Sequence, residues 1–413
     1  LCATGPVKPA PLMQDANNAP RSAGAESPEP LRIALLAGEA SGDQLGANLI
    51  DALRARFPQA SFVGMAGPRM RAAGCEALAE MEELNVMGLV EILRHYPRLR
   101  RLRARLTREL TDWRPHVVVG IDVPDFTLWI ERRLKDAGSL AVHYVCPQVW
   151  AWRAGRIPQI GRSINLMLTL FPFEAPFLRQ HGIDATFVGH PLADRIPPHP
   201  DRQQLRRALG LAADAEWVAL MPGSRRQELR RHVDLFLQTA SLLHQQRPAL
   251  RFVAGAVHAR AAAFIRTRHA ALAAQLPLEI IEGRASDVLL AADAALVVSG
   301  TISLESALCG TPAVVAYRLA ALSYWWLRRA VKVAHIALPN LLLSRRLFPE
   351  FVQDEAHPAA LAGALAQWLD DAAAREDCRH SCEALHQTLA RSAGPSAAQA
   401  IAQSLAARGM ASA

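Results

Sequence analysis

Long apolar runs are missing from this sequence. No stretch reaches the roughly 18 apolar residues that a membrane-spanning helix needs, so a helical transmembrane protein is excluded. Cysteine is scarce, with six in 413 residues, which excludes a disulfide scaffold. No two cysteines stand in a C-x-x-C pair. Cys378 and Cys382 come nearest, and His380 alone between them is too little for a zinc site. No metal site is expected, and all six thiols read as reduced, as in the cytosol. The opening stretch lacks the basic start and long apolar core of a secretory signal. Acid is absent from one region: between Arg94 and Arg108 there are seven arginines and no Asp or Glu. That stretch nearly accounts for the net charge of +8 left by 46 basic and 38 acidic residues. It predicts an anionic partner, nucleic acid or acidic lipid. No aromatics are interleaved for stacking on single strands and no nucleic-acid-binding motif is present, so nucleic acid is not expected.

What is present is the composition of a globular α/β protein. Apolar residues make up 51% and charged residues 20%, and the length predicts two or three domains. Residues 1–30 are rich in Pro, Ala, Asn, Ser and Gly without apolar period and read as a disordered tail. From Leu31, short apolar runs alternate with amphipathic ones. Strands are predicted at 33–37, 61–63, 117–121, 142–145, 166–170 and 186–188, mostly with helices between. Continuous apolar strands mean burial on both faces, as in a parallel sheet covered by helices. The Pro-rich Ile196-Pro197-Pro198-His199-Pro200 is a joint, after which the pattern restarts with strands at 217–221, 251–254, 279–281, 294–298 and 313–315. The expected organisation is a doubly wound domain at 31–197, a second at 198–380, and C-terminal helices at 381–413 that pack back or exchange with a partner copy as a homodimer. The strands' carboxyl ends would line a cleft between the halves.

Four strand-to-helix turns carry chemistry. Gly38-Glu39-Ala40-Ser41-Gly42-Asp43 allows close approach of a ligand. Ser41 with Gln44 also fits a plain capping box, while a carboxylate there could orient sugar hydroxyls. Gly120-Ile121-Asp122-Val123-Pro124-Asp125 places Asp122 at a strand end, where it is either a general base or, with Asp125, a helix cap. In Pro222-Gly223-Ser224-Arg225, Gly223 lets the backbone come close, Ser224 with Gln227 fits a capping box, and free N–H groups beside Arg225 favour a phosphate. In Ser299-Gly300-Thr301-Ile302-Ser303-Leu304-Glu305, Glu305 could accept ribose hydroxyls or simply favour the helix dipole. Neither of the last two is a P-loop, and the first is not G-x-G-x-x-G, so a nucleotidase and a dinucleotide oxidoreductase are disfavoured. His190, at a strand end, is either a cleft residue or structural. Val86, Met87, Leu89, Val90, Ile92 and Leu93 lead into the arginine stripe, where Leu99, Leu102, Leu106 and Leu110 recur at helical spacing beside Arg98 and Arg101. Such a helix either lies on an anionic membrane or packs into the core with a solvated basic face.

Together these segments closely resemble the lipid A disaccharide synthase family. The resemblance runs from about Leu31 to about Ala407 and rests on seven segments. These are Ala37–Asp43 (AGEASGD), Met81–Gly88 (MEELNVMG), Gly120–Phe126 (GIDVPDF), Val149–Arg153 (VWAWR), Pro222–Arg225 (PGSR), Ser299–Glu305 and Leu338–Asn340 (LPN). It implies a GT-B fold, two Rossmann-like domains around a cleft. It also implies metal-free, cofactor-free, inverting transfer of 2,3-diacylglucosamine from UDP to 2,3-diacylglucosamine 1-phosphate (lipid X), on the cytoplasmic face of the inner membrane. By the same resemblance Asp122 is the essential carboxylate, Arg225 contacts phosphate and Asn340 is essential. Glu39, Glu305 and Ser299-Gly300-Thr301 match motifs associated with the site, with Ser41, Asp43, Asp125 and His190 near the acceptor. With it, membrane contact becomes the favoured reading of the 86–108 segment. The N-terminal tail is extra, and Asn85 interrupts the apolar patch.

Three other readings share parts of this pattern. A UDP-N-acetylglucosamine 2-epimerase would have the same architecture but a water-soluble substrate. A peptidoglycan-type transferase also acts at the membrane, but the first two turns argue against it. An inactive nucleotide-sugar-binding or membrane-scaffold protein is disfavoured by the joint presence of Asp122, Arg225 and Asn340.

Overall fold

The computed structural model describes residues 30–84, 89–152, 154–320, 324 and 334–410, with backbone alone at 89–96. Two all-parallel sheets organise it. The first contains β1 (Arg32–Ala37), β2 (Ser61–Ala66), β3 (Glu76–Glu80), β4 (Val117–Ile121), β5 (Leu140–Tyr144), β6 (Leu166–Thr169) and β7 (Ala185–Phe187), in the order β3-β2-β1-β4-β5-β6-β7. The second contains β8 (Trp217–Met221), β9 (Arg251–Ala256), β10 (Leu278–Glu282), β11 (Ala294–Val298), β12 (Ala313–Tyr317) and β13 (Glu350–Val352), in the order β10-β9-β8-β11-β12-β13. The inner strands β4, β5, β8 and β11 are buried along their whole length. That is why they read as unbroken apolar runs, since helices cover both faces.

Each sheet reverses its winding once, between β1 and β4 in the first and between β8 and β11 in the second. A crevice opens at such a switch point, because neighbouring strands send their following helices to opposite faces. The four turns singled out above follow β1, β4, β8 and β11, so the topology brings the chemistry-bearing segments in pairs to the two crevices.

The chain joins the halves twice. It passes from first to second through residues 188–201, and returns after the helix Ala372–Leu389. That helix buries Cys378, Cys382, Leu385 and Leu389 in the second half's core, so the boundary expected at 381 falls inside it. The last helix, Ala393–Ala406, buries Ala397, Ala398, Ile401 and Leu405 in the first half's core against the helix Ala40–Arg56. Burying Ile401 and Leu405 contributes about 1.5–3 kcal/mol each. In the single chain this helix packs back on the first half.

The arginine stripe lies on the helix Leu89–Trp113. Leu102, Leu106 and Leu110 do not face outward with the arginines: they pack against β1, β2 and β4 in the core. A helix laid on the outer face of a sheet must bury one apolar stripe, and this spacing supplies it. Arg98 and Arg101 are exposed. Val86 and Met87 lie outside the described residues, as do the side chains of Leu89, Val90, Ile92 and Leu93. Among the described residues no helix is long and apolar enough to cross a membrane.

Candidate active site at the two switch points

In the first crevice, Asp122 follows β4 with φ 55°, and Val123 after it has φ 46°. Left-handed backbone at two consecutive non-glycine residues, one of them β-branched, is strained by about 1–3 kcal/mol each, and such strain gathers at functional sites. The turn is held by the Asp122 N–H donating to the Tyr144 carbonyl at 3.0 Å and by the Asp122 Oδ1 accepting from the Val123 N–H at 2.9 Å. Glu39 is the N-cap of the Ala40–Arg56 helix, makes no side-chain capping bond, and is exposed. Its carboxyl holds a proton more readily than usual. Partial loss of water is the main cause and the Asp122 charge the second, while the Arg225 cation pulls the other way. Arg225 belongs to the second half, so charges from both halves act on one carboxyl.

In the second crevice, Gly223 has φ +108°, a conformation that L side chains rarely adopt, and an added Cβ would lie 2.7 Å from Glu228 Cβ. The expected capping box at Ser224 and Gln227 is displaced by one residue. Arg225 is the N-cap, and the Glu228 carboxylate accepts the backbone N–H groups of Ser224 at 3.1 Å and Arg225 at 3.2 Å. The N–H groups expected to be free for phosphate are therefore occupied by Glu228, while the Arg225 guanidinium is exposed and 3.8 Å from Glu228. Glu228 was missed because the Ser-x-x-Gln spacing masks an Arg-x-x-Glu spacing one residue later. His232, one turn on, bridges this helix to the end of β12. Its Nδ1 donates to the Glu228 carbonyl at 2.8 Å and its Nε2 accepts the Arg318 N–H at 2.9 Å, which fixes the tautomer.

The Ser299–Thr301 turn is open. Among the described residues nothing stands within 4 Å of where a Cβ on Gly300 would be, Gly300 caps the Thr301–Leu308 helix without a side-chain bond, and Thr301 is exposed. Ser299 Oγ donates to the Ile336 carbonyl at 2.8 Å. Glu305 accepts a bond from the Ser286 hydroxyl. Burial raises its proton affinity, offset in part by that bond and by Arg195.

Several expected site residues make contacts within the chain. Asp43 is buried, and its carboxylate accepts the N–H groups of Gly67, Arg69 and Met70 at 2.9–3.0 Å, capping the Pro68–Ala72 helix. Three donors at the start of that helix, unsatisfied within it, claim the carboxylate. Ser41 is exposed in the first helical turn and forms no capping box, Gln44 bonding Asn48 instead at 3.0 Å. Asn340 is fully buried. Its Nδ2 donates to the Phe348 carbonyl and its Oδ1 accepts the Phe348 N–H, both at 2.8 Å, so its amide holds the loop that ends at Phe348. His190 caps the Pro191–Arg195 helix through Nδ1 and stacks on Phe171, and burial lowers its pKa to about 4. Asp125 is exposed and pairs with Arg156 at 2.5 Å.

One further carboxyl in the first half is perturbed, at the start of the helix after β6. Glu174 is buried and accepts the Trp150 indole N–H at 3.1 Å and the Phe171 N–H at 3.0 Å. Burial pushes its pKa up to about 7 despite these bonds.

Two parallel sheets with paired switch-point crevices define the GT-B fold. Solved structures share the arrangement. Anabaena HepE in complex with UDP and glucose matches with a TM-score of 0.55 and 13% identity, over 91% of this chain and 100% of that one. The calicheamicin glycosyltransferase CalG4 matches with a TM-score of 0.57 and 18% identity, over 92% and 99%. Neisseria meningitidis UDP-GlcNAc 2-epimerase bound to UDP-GlcNAc matches with a TM-score of 0.60 and 11% identity, over 91% and 100%. At these identities the likeness is one of fold. Sequence decides the family. The lipid-A-disaccharide synthetase (LpxB) family model matches residues 33–403. The lipid-A-disaccharide synthase of Alkalilimnicola ehrlichii is 48% identical over 373 residues, covering 90% of this chain and 98% of that protein. That of Pseudomonas paraeruginosa is 49% identical over 373 residues, with the same coverage. The chain belongs to the lipid-A-disaccharide synthase family and is a UDP-sugar glycosyltransferase of lipid A biosynthesis.

Proposed function

We propose that this chain condenses UDP-2,3-diacylglucosamine with 2,3-diacylglucosamine 1-phosphate, giving the β-1′,6-linked disaccharide 1-phosphate and UDP by a single inverting displacement. The observation that supports this reading is topological: Glu39 and Asp122 follow the two strands that flank one switch point, and Arg225 follows a strand that flanks the other, while the charges of Asp122 and Arg225 both act on the Glu39 carboxyl. An inverting transfer needs a base on one face of the donor sugar and positive potential at the leaving group on the other. Asp122 takes the proton from the acceptor's 6-hydroxyl as its oxygen attacks the anomeric carbon. Arg225 and the open Gly300 turn stabilise the negative charge that develops on UDP. Glu39, which keeps its proton to higher pH than an ordinary carboxyl, orients the acceptor beside the base. Glu305 takes the ribose hydroxyls of the donor.

The acyl chains of both substrates lie in a membrane. The exposed Arg98 and Arg101, with the 86–93 segment before them, would hold the enzyme to the anionic cytoplasmic face of the inner membrane. Trp129, exposed on the adjacent helix and flanked by Arg103 and Arg133 at 4.7 and 5.1 Å from its ring, extends that surface. The deciding experiment mixes the purified chain with both lipids in detergent and chelator and identifies products by mass spectrometry. Disaccharide 1-phosphate with UDP is expected. UDP binding without lipid product would sink the acceptor assignment. Arg98→Glu with Arg101→Glu should weaken binding to phosphatidylglycerol vesicles, and unchanged binding would return the stripe to a solvated face.

A further inference from the structure

The first half carries a titratable pair that this chemistry leaves unused. Glu131, in the helix Pro124–Asp136, and His143, in β5, are both fully buried, with Glu131 Oε1 2.8 Å from His143 Nδ1. Glu131 Oε2 and His143 Nε2 have no hydrogen-bond partner among the described residues. Taking a carboxylate and an imidazole out of water is costly, and well-packed apolar groups of the same volume often serve a core as well or better. Core packing alone therefore does not account for the pair.

Its location does. His143 stands opposite Gly120 and Tyr144 opposite Ile121 in the β4–β5 register, and the Tyr144 carbonyl accepts the Asp122 N–H. A Cβ on Gly120 would lie 2.0 Å from Glu131 Oε1, so the carboxylate fills the place where that residue's side chain would be. Thr127, one turn earlier on the same helix, directs its hydroxyl at the carbonyls of Asp122 and Val123, 3.3 and 3.4 Å away. The pair thus braces the strand end just below the left-handed Asp122–Val123 turn, tying the helix that follows that turn to the strand beside it. A turn strained at two residues persists only where its surroundings over-determine it.

We propose that Glu131 and His143 are positioning residues, a buried hydrogen-bonded pair that locks β4, β5 and the following helix together and so fixes the aim of the Asp122 carboxylate. Neither touches substrate, and the inference rests on the reading of Asp122 as the base.

The test compares Glu131→Gln, which keeps the volume and one hydrogen bond, with Glu131→Met, which removes the bond. UDP affinity and donor KM should be unchanged in both, because the nucleotide contacts lie in the other half. The value of kcat should fall about threefold or more in the Gln variant and about tenfold or more in the Met variant, since sub-ångström misplacement of a base is enough to slow transfer. In an Asp122→Asn background neither change should lower kcat further. A folded variant with normal UDP affinity and kcat within twofold of wild type overturns the proposal. If Glu131→Met does not fold, the Gln variant decides. Near-normal turnover by Asp122→Asn alone would instead overturn the base assignment, and the two failures are therefore distinguishable.

Discussion

Glu174 and His190 meet at Phe171: the carboxylate accepts its N–H at 3.0 Å, and the imidazole stacks on its ring with centroids 5.7 Å apart. Burial moves their titrations in opposite directions, Glu174 from 4.5 up to about 7 and His190 from 6.5 down to about 4. With its pKa raised by folding, Glu174 contributes stability that is complete below about pH 4.5 and lost as pH rises toward 7. His190, its pKa lowered, contributes stability present above about 6.5 and lost as pH falls toward 4. The two slopes oppose one another across the shared window.

Removing either group should expose the other. Asparagine at 190 keeps a helix cap, so His190→Asn should tilt the thermal midpoint toward acid. Glu174→Gln should make the midpoint fall more steeply on acidification. Each effect amounts to about 3 kcal/mol at most. Calorimetry at pH 5 and pH 7.5 measures both, and pH profiles parallel to wild type would show that neither group is coupled to folding in this way.

Gly223→Ala should damage the donor turn. The new methyl group meets Glu228 at 2.7 Å with φ at +108°. UDP affinity should drop about tenfold or more, with about 1–3 kcal/mol lost in stability. Titration calorimetry with UDP checks the first. Unchanged affinity would mean that the 222–225 turn does not touch the nucleotide.

Arg225→Ala removes a cation that favours ionised Glu39, so the Glu39 titration should move further upward. Carbon-13 NMR of labelled glutamate follows it directly. The donor KM should rise in the same variant. A stationary Glu39 titration would separate the two halves electrostatically and weaken the assigned site.

Asp43→Asn tests a reassignment. Substituting an amide where three N–H groups converge should cost about 1–3 kcal/mol while leaving turnover per folded molecule intact. Loss of turnover at an unchanged thermal midpoint would return Asp43 to the cleft.

The inner strands were legible because burial on both faces leaves an apolar run with no competing signal. β8 and β11 fall at the predicted 217–221 and 294–298. The edge strands β3, Glu76–Glu80, and β13, Glu350–Val352, were missed. Each is short, has one paired side and carries glutamate, so its existence depends on a neighbouring strand that local pattern does not reveal. At the site, glycine turns after apolar strands marked the right places. What could not be read was which polar side chain is consumed internally. Asp43, Asn340 and Glu228 are claimed by backbone donors from segments as many as 27 residues away or as near as three. The pair of Glu131 and His143 left a faint mark, a histidine inside the otherwise apolar Leu140–Tyr144 strand.

The two passages between the halves have a consequence for how this molecule can be divided. In connectivity the second half is a guest, spliced between the body of its host and the host's own final helix. A chimera that borrows another donor-binding half must be cut at both joints, near 198 and near 391. A single cut would import a foreign final helix and leave the groove that receives Ile401 and Leu405 to a sequence not shaped for it. Recombination between relatives is thereby constrained to paired breakpoints, and a graft made with two cuts should fold where a graft made with one does not.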